Sequence, residues 1–267
     1  MDQPGGRAMP SREQMAACMA TLATVFADLR EQALAELDLR PGKSLLDAGC
    51  GAGELAIAVA PRLQPGGRVV GVDLDAETIS LVGAAADNAG AVVDFRVGDI
   101  RRLPCDDNEF DAVRSERVFQ HLERTDWPRA AAELLRVARP GGIIQLIDPD
   151  HLQSAIAATD AELARLLVAD LVTLPPNPES GIHLPRLLRS AGAVDIRVEV
   201  RPIVITSLAT FRAMRNPDAV LTYLVMRRQV EADRAAAFLA DLETRDREGA
   251  FVATSIIYVV SGRKAPD

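Results

Sequence analysis

The chain is poor in the residues that build disulfide frameworks and metal cages. Among 267 residues there are three cysteines and three histidines. Cys18, Cys50 and Cys105 are far apart and odd in number, and no Cys-x-x-Cys occurs. Neither a disulfide scaffold nor a His/Cys metal centre is expected, and a reducing cytoplasm is the simplest home. No metal site is assigned, although carboxylates for a hard cation remain open. Positive charge is also short. The formal net charge is −8 and no Lys/Arg-rich run occurs, which disfavours nucleic acid and anionic lipid as partners. No apolar stretch reaches the roughly 20 residues that span a bilayer. The opening MDQPGGRAMPSREQ has no apolar core of the kind a secretory leader carries. Neither membrane insertion nor a nucleic-acid partner is expected.

The sequence has no internal repeat, but it has a rhythm. Residues 1–40 form an N-terminal tail and helices, with good helix formers from Ser11 to Leu39 and a Ser11/Gln14 capping box. Arg40-Pro41-Gly42 ends that stretch. From residue 41 onward short apolar runs alternate with helical patterns: SLLDAG, GRVVGVDLD, AVVDFRVGD, FDAVRSE and IIQLIDP read as strands. The fourth helix, WPRAAAELLRVARPGG, is closed by Pro-Gly-Gly. Such alternation means right-handed βαβ units and a parallel sheet covered on both faces. Beyond Pro149 the rhythm changes. Residues 151–173 read as helix, TLPPNPESG as a Pro-rich loop, LPRLLRSAG as a short helix and VDIRVEVRPIVIT as a strand. Residues 207–248 read as one or two helices, and FVATSIIYVVSGR as a last strand. Two helical cap insertions, at about 151–178 and 207–248, are expected within a domain covering 41–267. Ligands in open α/β sheets bind at the carboxyl edge of the strands.

The densest motif is LLDAGCGAGELAIAVA, residues 45–60, with three glycines in five positions. No Lys-Ser/Thr follows Gly53, so it is not a P-loop. Glu54 stands where the dinucleotide pattern wants glycine or alanine. Asp47-x-Gly49-x-Gly51-x-Gly53 keeps the tight turn and places carboxylates at both ends, which suits a cationic ligand better than a pyrophosphate. In this the chain resembles the class I S-adenosylmethionine-dependent methyltransferases, the quinone-type and natural-product small-molecule enzymes in particular. The resemblance is good from Leu39 to Asp148 and topological elsewhere. It implies a doubly wound, Rossmann-like α/β fold, with a seven-stranded, mainly parallel sheet whose last strand is antiparallel. It implies S-adenosyl-L-methionine as cofactor, its methionine end over Asp47, Gly49, Gly51 and Gly53. Asp73, 20 residues after Gly53, would accept the ribose hydroxyls and Leu74 would lie on the adenine. Asp99 would accept the adenine amine with Ile100 on the ring. Ser115, in FDAVRSERVFQHL, belongs to the segment expected around the methionine end.

Methyl transfer is an in-line displacement helped by holding the acceptor close and dry, with a general base where the acceptor must lose a proton. His121, Asp148 and His151 are the candidates. His121 also reads as a structural histidine at a helix start, and Asp148 as the cap of the next helix; both readings stand. His183 reads as structural or surface. Arg114, Glu116 and Arg117 either meet a ligand anion or pair with one another. No Asp/Asn-Pro-Pro-Tyr/Phe follows the fourth strand, which tells against amide and DNA-base methylation. The function expected is methylation of a small, apolar or natural-product-like metabolite at oxygen or carbon. The alternative is a fold that binds the cofactor without methylating: a scaffold, or an enzyme of cyclisation or rearrangement using the sulfonium charge. The oligomeric state is open, a homodimer being one option.

Overall fold

The computed structural model describes residue 21 and residues 24–171 and 175–266. The expected helix from Ser11 and its capping box fall mostly outside these residues; the described part is α1, Ala27–Ala35. Then follow β1 (Ser44–Ala48), α2 (Glu54–Val59), β2 (Arg68–Asp73), α3 (Ala76–Ala89), β3 (Val93–Val97) and β4 (Phe110–Glu116). After them come α4 (Trp127–Val137), β5 (Ala138–Ile156), α5 (Ala161–Leu171), α6 (Ser180–Ala191) and β6 (Ala193–Ile205). The chain ends with α7 (Leu208–Arg215), α8 (Pro217–Met226), α9 (Ala232–Arg247) and β7 (Ala253–Lys264).

The strands form one seven-stranded sheet in the order β3-β2-β1-β4-β5-β7-β6. β1 pairs in parallel with β2 and β4, β2 with β3, and β4 with β5. The last strands are antiparallel, so the doubly wound, Rossmann-like reading holds. Successive side chains of a strand point to opposite faces, and the two faces have separate cores. Leu46, Val113, Ile144 and Leu146 pack with Leu134 of α4 and Leu188 of α6. Leu45, Ala112 and Ile143 pack with Leu34 of α1 and Val59 of α2.

The chain divides into two compact units. The larger, Glu31–Asp150 with Pro175–Arg201 and Ile257–Asp267, carries the glycine loop. The smaller is made up of described residues within 151–171 and 202–256, with those from Thr24 to Arg30. Within it, the Phe211 and Phe251 rings pack at a tilt with centroids 5.8 Å apart, and Arg212 binds Asp218 and Glu243.

Three details differ from the sequence reading. Residues His151–Ile156 continue β5 rather than opening a helix. Ala157 N donates to Val252 O at 2.9 Å and the Ser154 and Ser255 hydroxyls meet, so this end is held by pairing. α5 starts only after Asp160, whose Oδ1 accepts Leu163 N at 2.9 Å, an N-cap bond. Pro140-Gly141-Gly142 lies inside β5, absorbed by a register shift against β4 between Phe110 and Ala112. The segment 207–248 holds three helices rather than one or two. Asn216, left-handed at φ 45°, ends α7, and its side chain accepts Ala219 N to start α8.

Leu134 is fully buried in the core of α4 and α6. Leu134→Ala is expected to destabilise the protein by about 3 kcal/mol, read as a lower urea midpoint at unchanged slope.

Candidate functional site

The glycine loop leaves β1 at Ala48 and enters α2 at Glu54. Gly49, Gly51 and Gly53 all have positive φ, 83°, 50° and 69°. Gly49 N and Cys50 N both donate to Val72 O, at 2.7 and 3.0 Å. Gly51 N donates to Asp73 Oδ2 at 2.8 Å. The turn is therefore tied to the end of β2 by main-chain bonds and one carboxylate. A Cβ at Gly49 would sit 2.2 Å from Val118 Cγ2, so the loop and the segment after β4 touch where only glycine fits. At Gly51 an added Cβ would meet nothing within 4 Å. The outer side of the loop is an open cradle.

The charge around this cradle is negative. Asp47 is 3% exposed at the end of β1, and Arg114, 1% exposed, is its neighbour in register on β4. Arg114 Nη1 lies 3.8 Å from Asp47 and its Nη2 is bonded to Glu116. Two buried carboxylates thus share one guanidinium, whose Nε finds no acceptor among the described residues. The Cys50 thiol feels burial first and this charge second. Burial, then the Asp47 and Asp73 carboxylates, push its pKa strongly upward. A field that opposes a thiolate favours a bound cation.

The residues expected on the adenine side are only partly assembled. Asp73 Oδ1 accepts Asp75 N at 3.1 Å, so each oxygen of Asp73 carries one main-chain bond and keeps a lone pair. Leu74 is 67% exposed, an apolar surface waiting for a cover. Ile100 is buried. Asp99 is committed to Arg101, which reaches both carboxylate oxygens and also Asp126 at 2.6 Å. That ion pair, above all, holds the Asp99 carboxyl below its ordinary range. Ser115 faces away into the α4/α6 core, 1% exposed, with no partner for its hydroxyl among the described residues.

The three proton-transfer candidates differ sharply. His121 closes a 3₁₀ turn, Phe119–His121, and is exposed. Desolvation of its ring, then the Arg117 guanidinium, lower its pKa from the ordinary 6.5, which leaves it neutral at pH 7. Asp148 is fully buried. Its Oδ2 accepts Phe119 N at 3.1 Å and its Oδ1 accepts Gln120 N at 3.4 Å. Burial raises its pKa to about 7 against those bonds. His151 belongs to the smaller unit, where its Nδ1 lies 3.0 Å from Arg215 Nη2. A guanidinium only donates, so Nδ1 accepts and the proton sits on Nε2. His183 lies in the first turn of α6 with its ring 5.9 Å from Trp127.

The motif reading missed the partners that decide these roles: Val118 under Gly49, Arg101 on Asp99 and Arg215 on His151. Only Arg101 is close enough in sequence to have been paired from the motif alone. No three-residue group of metal ligands occurs among the described residues, and none of their helices is long and apolar enough to cross a membrane.

The methyltransferase-domain family model matches residues 45–142. The nocamycin O-methyltransferase of Saccharothrix syringae is 30% identical over 92% of this chain and 94% of its own. A 37.1 kDa protein of transposon TN4556 from Streptomyces fradiae is 33% identical over 86% of this chain. The chain spans 65% of that protein's length. Among solved structures, a methyltransferase-like protein of Bacillus halodurans C-125 superposes with a TM-score of 0.61 at 16% identity, over 88% of this chain and 98% of that one.

The raised Asp148 acid has a stability signature. The unfolded carboxyl ionises near pH 4, whereas the folded one keeps its proton up to about 7. Between those values the folded state holds more protons, so this group's contribution to stability falls as pH rises from 4 to 7. Urea midpoints at pH 5 and pH 8 are expected to fall more for the wild type than for Asp148→Asn. The Cys50 thiol is expected to react with a disulfide reagent at pH 8 more slowly in the folded than in the unfolded protein.

Proposed function

We infer that this chain, a member of the class I S-adenosylmethionine-dependent methyltransferases, methylates a small, largely apolar metabolite at oxygen or carbon. The observation that carries the reading is the anionic glycine turn: an open cradle at Gly51, with the buried Asp47 carboxylate at the end of β1 and the Asp73 carboxylate bonded to Gly51 N. Residues of this kind fit a ligand that carries an ammonium and a sulfonium. When bound, the cofactor supplies an electrophilic methyl on a positive sulfur.

The chain's own residues then have separable tasks. Asp47, with Gly49, Gly51 and Gly53, would hold the ammonium end, with Glu116 and Arg114 setting the local charge. Asp73 would take the ribose hydroxyls on its remaining lone pairs. Leu74 and Ile100 would enclose the adenine. Asp99 would receive the exocyclic amine only by sharing its oxygens with Arg101. Ser115 supports the strand from behind rather than touching the ligand.

His121 is the base of this reading. It is exposed, neutral at pH 7 and carried on the turn beside the glycine loop. A metabolite hydroxyl or enolisable carbon would give its proton there as the methyl arrives. His151 is a weaker candidate, because Arg215 occupies Nδ1 and Nε2 already carries the proton. Nocamycin O-methyltransferase, by its name, methylates an oxygen of nocamycin, and that supports a small-molecule oxygen acceptor here.

Calorimetric titration with S-adenosylmethionine tests the reading: micromolar binding is expected, with a loss of about 100-fold or more in Asp73→Ala. Incubation with a host extract should yield a product heavier by one methylene, and no such product would count against methylation. His121→Gln is expected to lower kcat by about 100-fold. It should also remove the rise of wild-type rate with pH that occurs below 6.5; an unchanged rise would exclude His121 as the base.

A further inference from the structure

We propose that Asp148 is a positioning residue that fixes the turn 118–121 and, through Val118, holds the Gly49 end of the glycine loop in its binding shape. The proposal rests on the cofactor reading above and deepens it.

The turn enters under strain. Arg117 is left-handed at φ 57°, an unfavourable conformation for a non-glycine residue. Arg117 N donates to Ile147 O at 2.7 Å. Immediately afterwards the chain turns inward, and its polar groups need partners. The carbonyls are covered from two other segments: Trp127 Nε1 donates to Phe119 O at 3.0 Å, and Asn177 N to Gln120 O at 3.1 Å. Asn177 Nδ2 also reaches Leu122 O at 2.6 Å. The amides of Phe119 and Gln120 are met by the Asp148 carboxylate. An apolar residue at 148 would leave two buried donors unsatisfied, which is destabilising.

The Asp148 side chain is fully buried. Gly181 of α6 lies against β5 so closely that a Cβ there would come within 2.5 Å of the Asp148 carbonyl oxygen and 2.7 Å of Tyr258. Ser180, also at the start of α6, is fully buried beside it. A group closed off in this way acts through what it holds. What it holds leads directly to the loop, because the side chain of Val118 fills the space under Gly49.

Two measurements test this, one of them without ligand. In Gly49→Ala, with Asp148 intact, the new Cβ must displace Val118. Amide exchange at Phe119 and Gln120 is then expected to speed up by about tenfold or more, and unchanged exchange would overturn the coupling whether or not the protein binds a cofactor. The second is a cycle of Asp148→Asn, Val118→Ala and the double variant, read by calorimetric affinity for S-adenosylhomocysteine. Asp148→Asn is expected to weaken binding about tenfold, raising the cofactor KM more than it lowers kcat, and the double variant to lose little beyond that. Additive losses would overturn the route through Val118. Unchanged affinity with a collapse of kcat would make Asp148 a catalytic base instead. Should Asp73→Ala bind normally, the cofactor reading fails, while the exchange result still decides the coupling.

Discussion

The hydrogen bond from Gly51 N to Asp73 Oδ2 is the constraint on which the site depends. It joins the loop after β1 to the end of β2, beside the two bonds that Val72 O accepts from Gly49 and Cys50. Asp73 O in turn accepts Gly98 N at 2.8 Å, which draws in the end of β3. Three strand ends are thus laced at one residue, and its carboxylate decides both shape and sign. A neutral acceptor there would keep the turn but weaken the field. A cation there would reverse the ligand the turn can accept.

Behind this front lies a buried polar row that ordinary sheet packing does not require. Asp47, Arg114 and Gln145 are register partners on β1, β4 and β5. Gln145 Nε2 donates to Ala33 O of α1 at 2.8 Å and lies 3.5 Å from the Ser261 hydroxyl of β7, which donates to Glu36. Burying such groups is costly unless they are paired. Replacing the row with leucine would not obviously destabilise the fold. Its value is in placing charge under the loop and in fixing α1 against the sheet.

Much of this was legible because it is local. Asp47-x-Gly49-x-Gly51-x-Gly53 and Asp73 stand at strand ends that the alternation of strand and helix already defines. The strand alternation gave the sheet's order of use, and the antiparallel end followed from the family resemblance. What the sequence hid depends on distant partners. Asp148 meets amides 29 and 28 positions away, and His151 meets Arg215 at a separation of 64. The extension of β5 past Pro149 was hidden because no glycine or proline separates His151 from Ile156. The Asp160 cap that begins α5 was a readable signal. Arg101, two positions from Asp99, was readable too, and it changes how that carboxylate is available.

The central claim is that the loop selects a cationic ligand over a pyrophosphate by the sign of its field. Parallel calorimetric titrations with S-adenosylmethionine and with NADH test it most directly, since both ligands carry an adenosine and differ in the charge offered to the glycine turn. Micromolar binding of S-adenosylmethionine with no measurable binding of NADH is the expected result. Tighter binding of NADH would contradict the account.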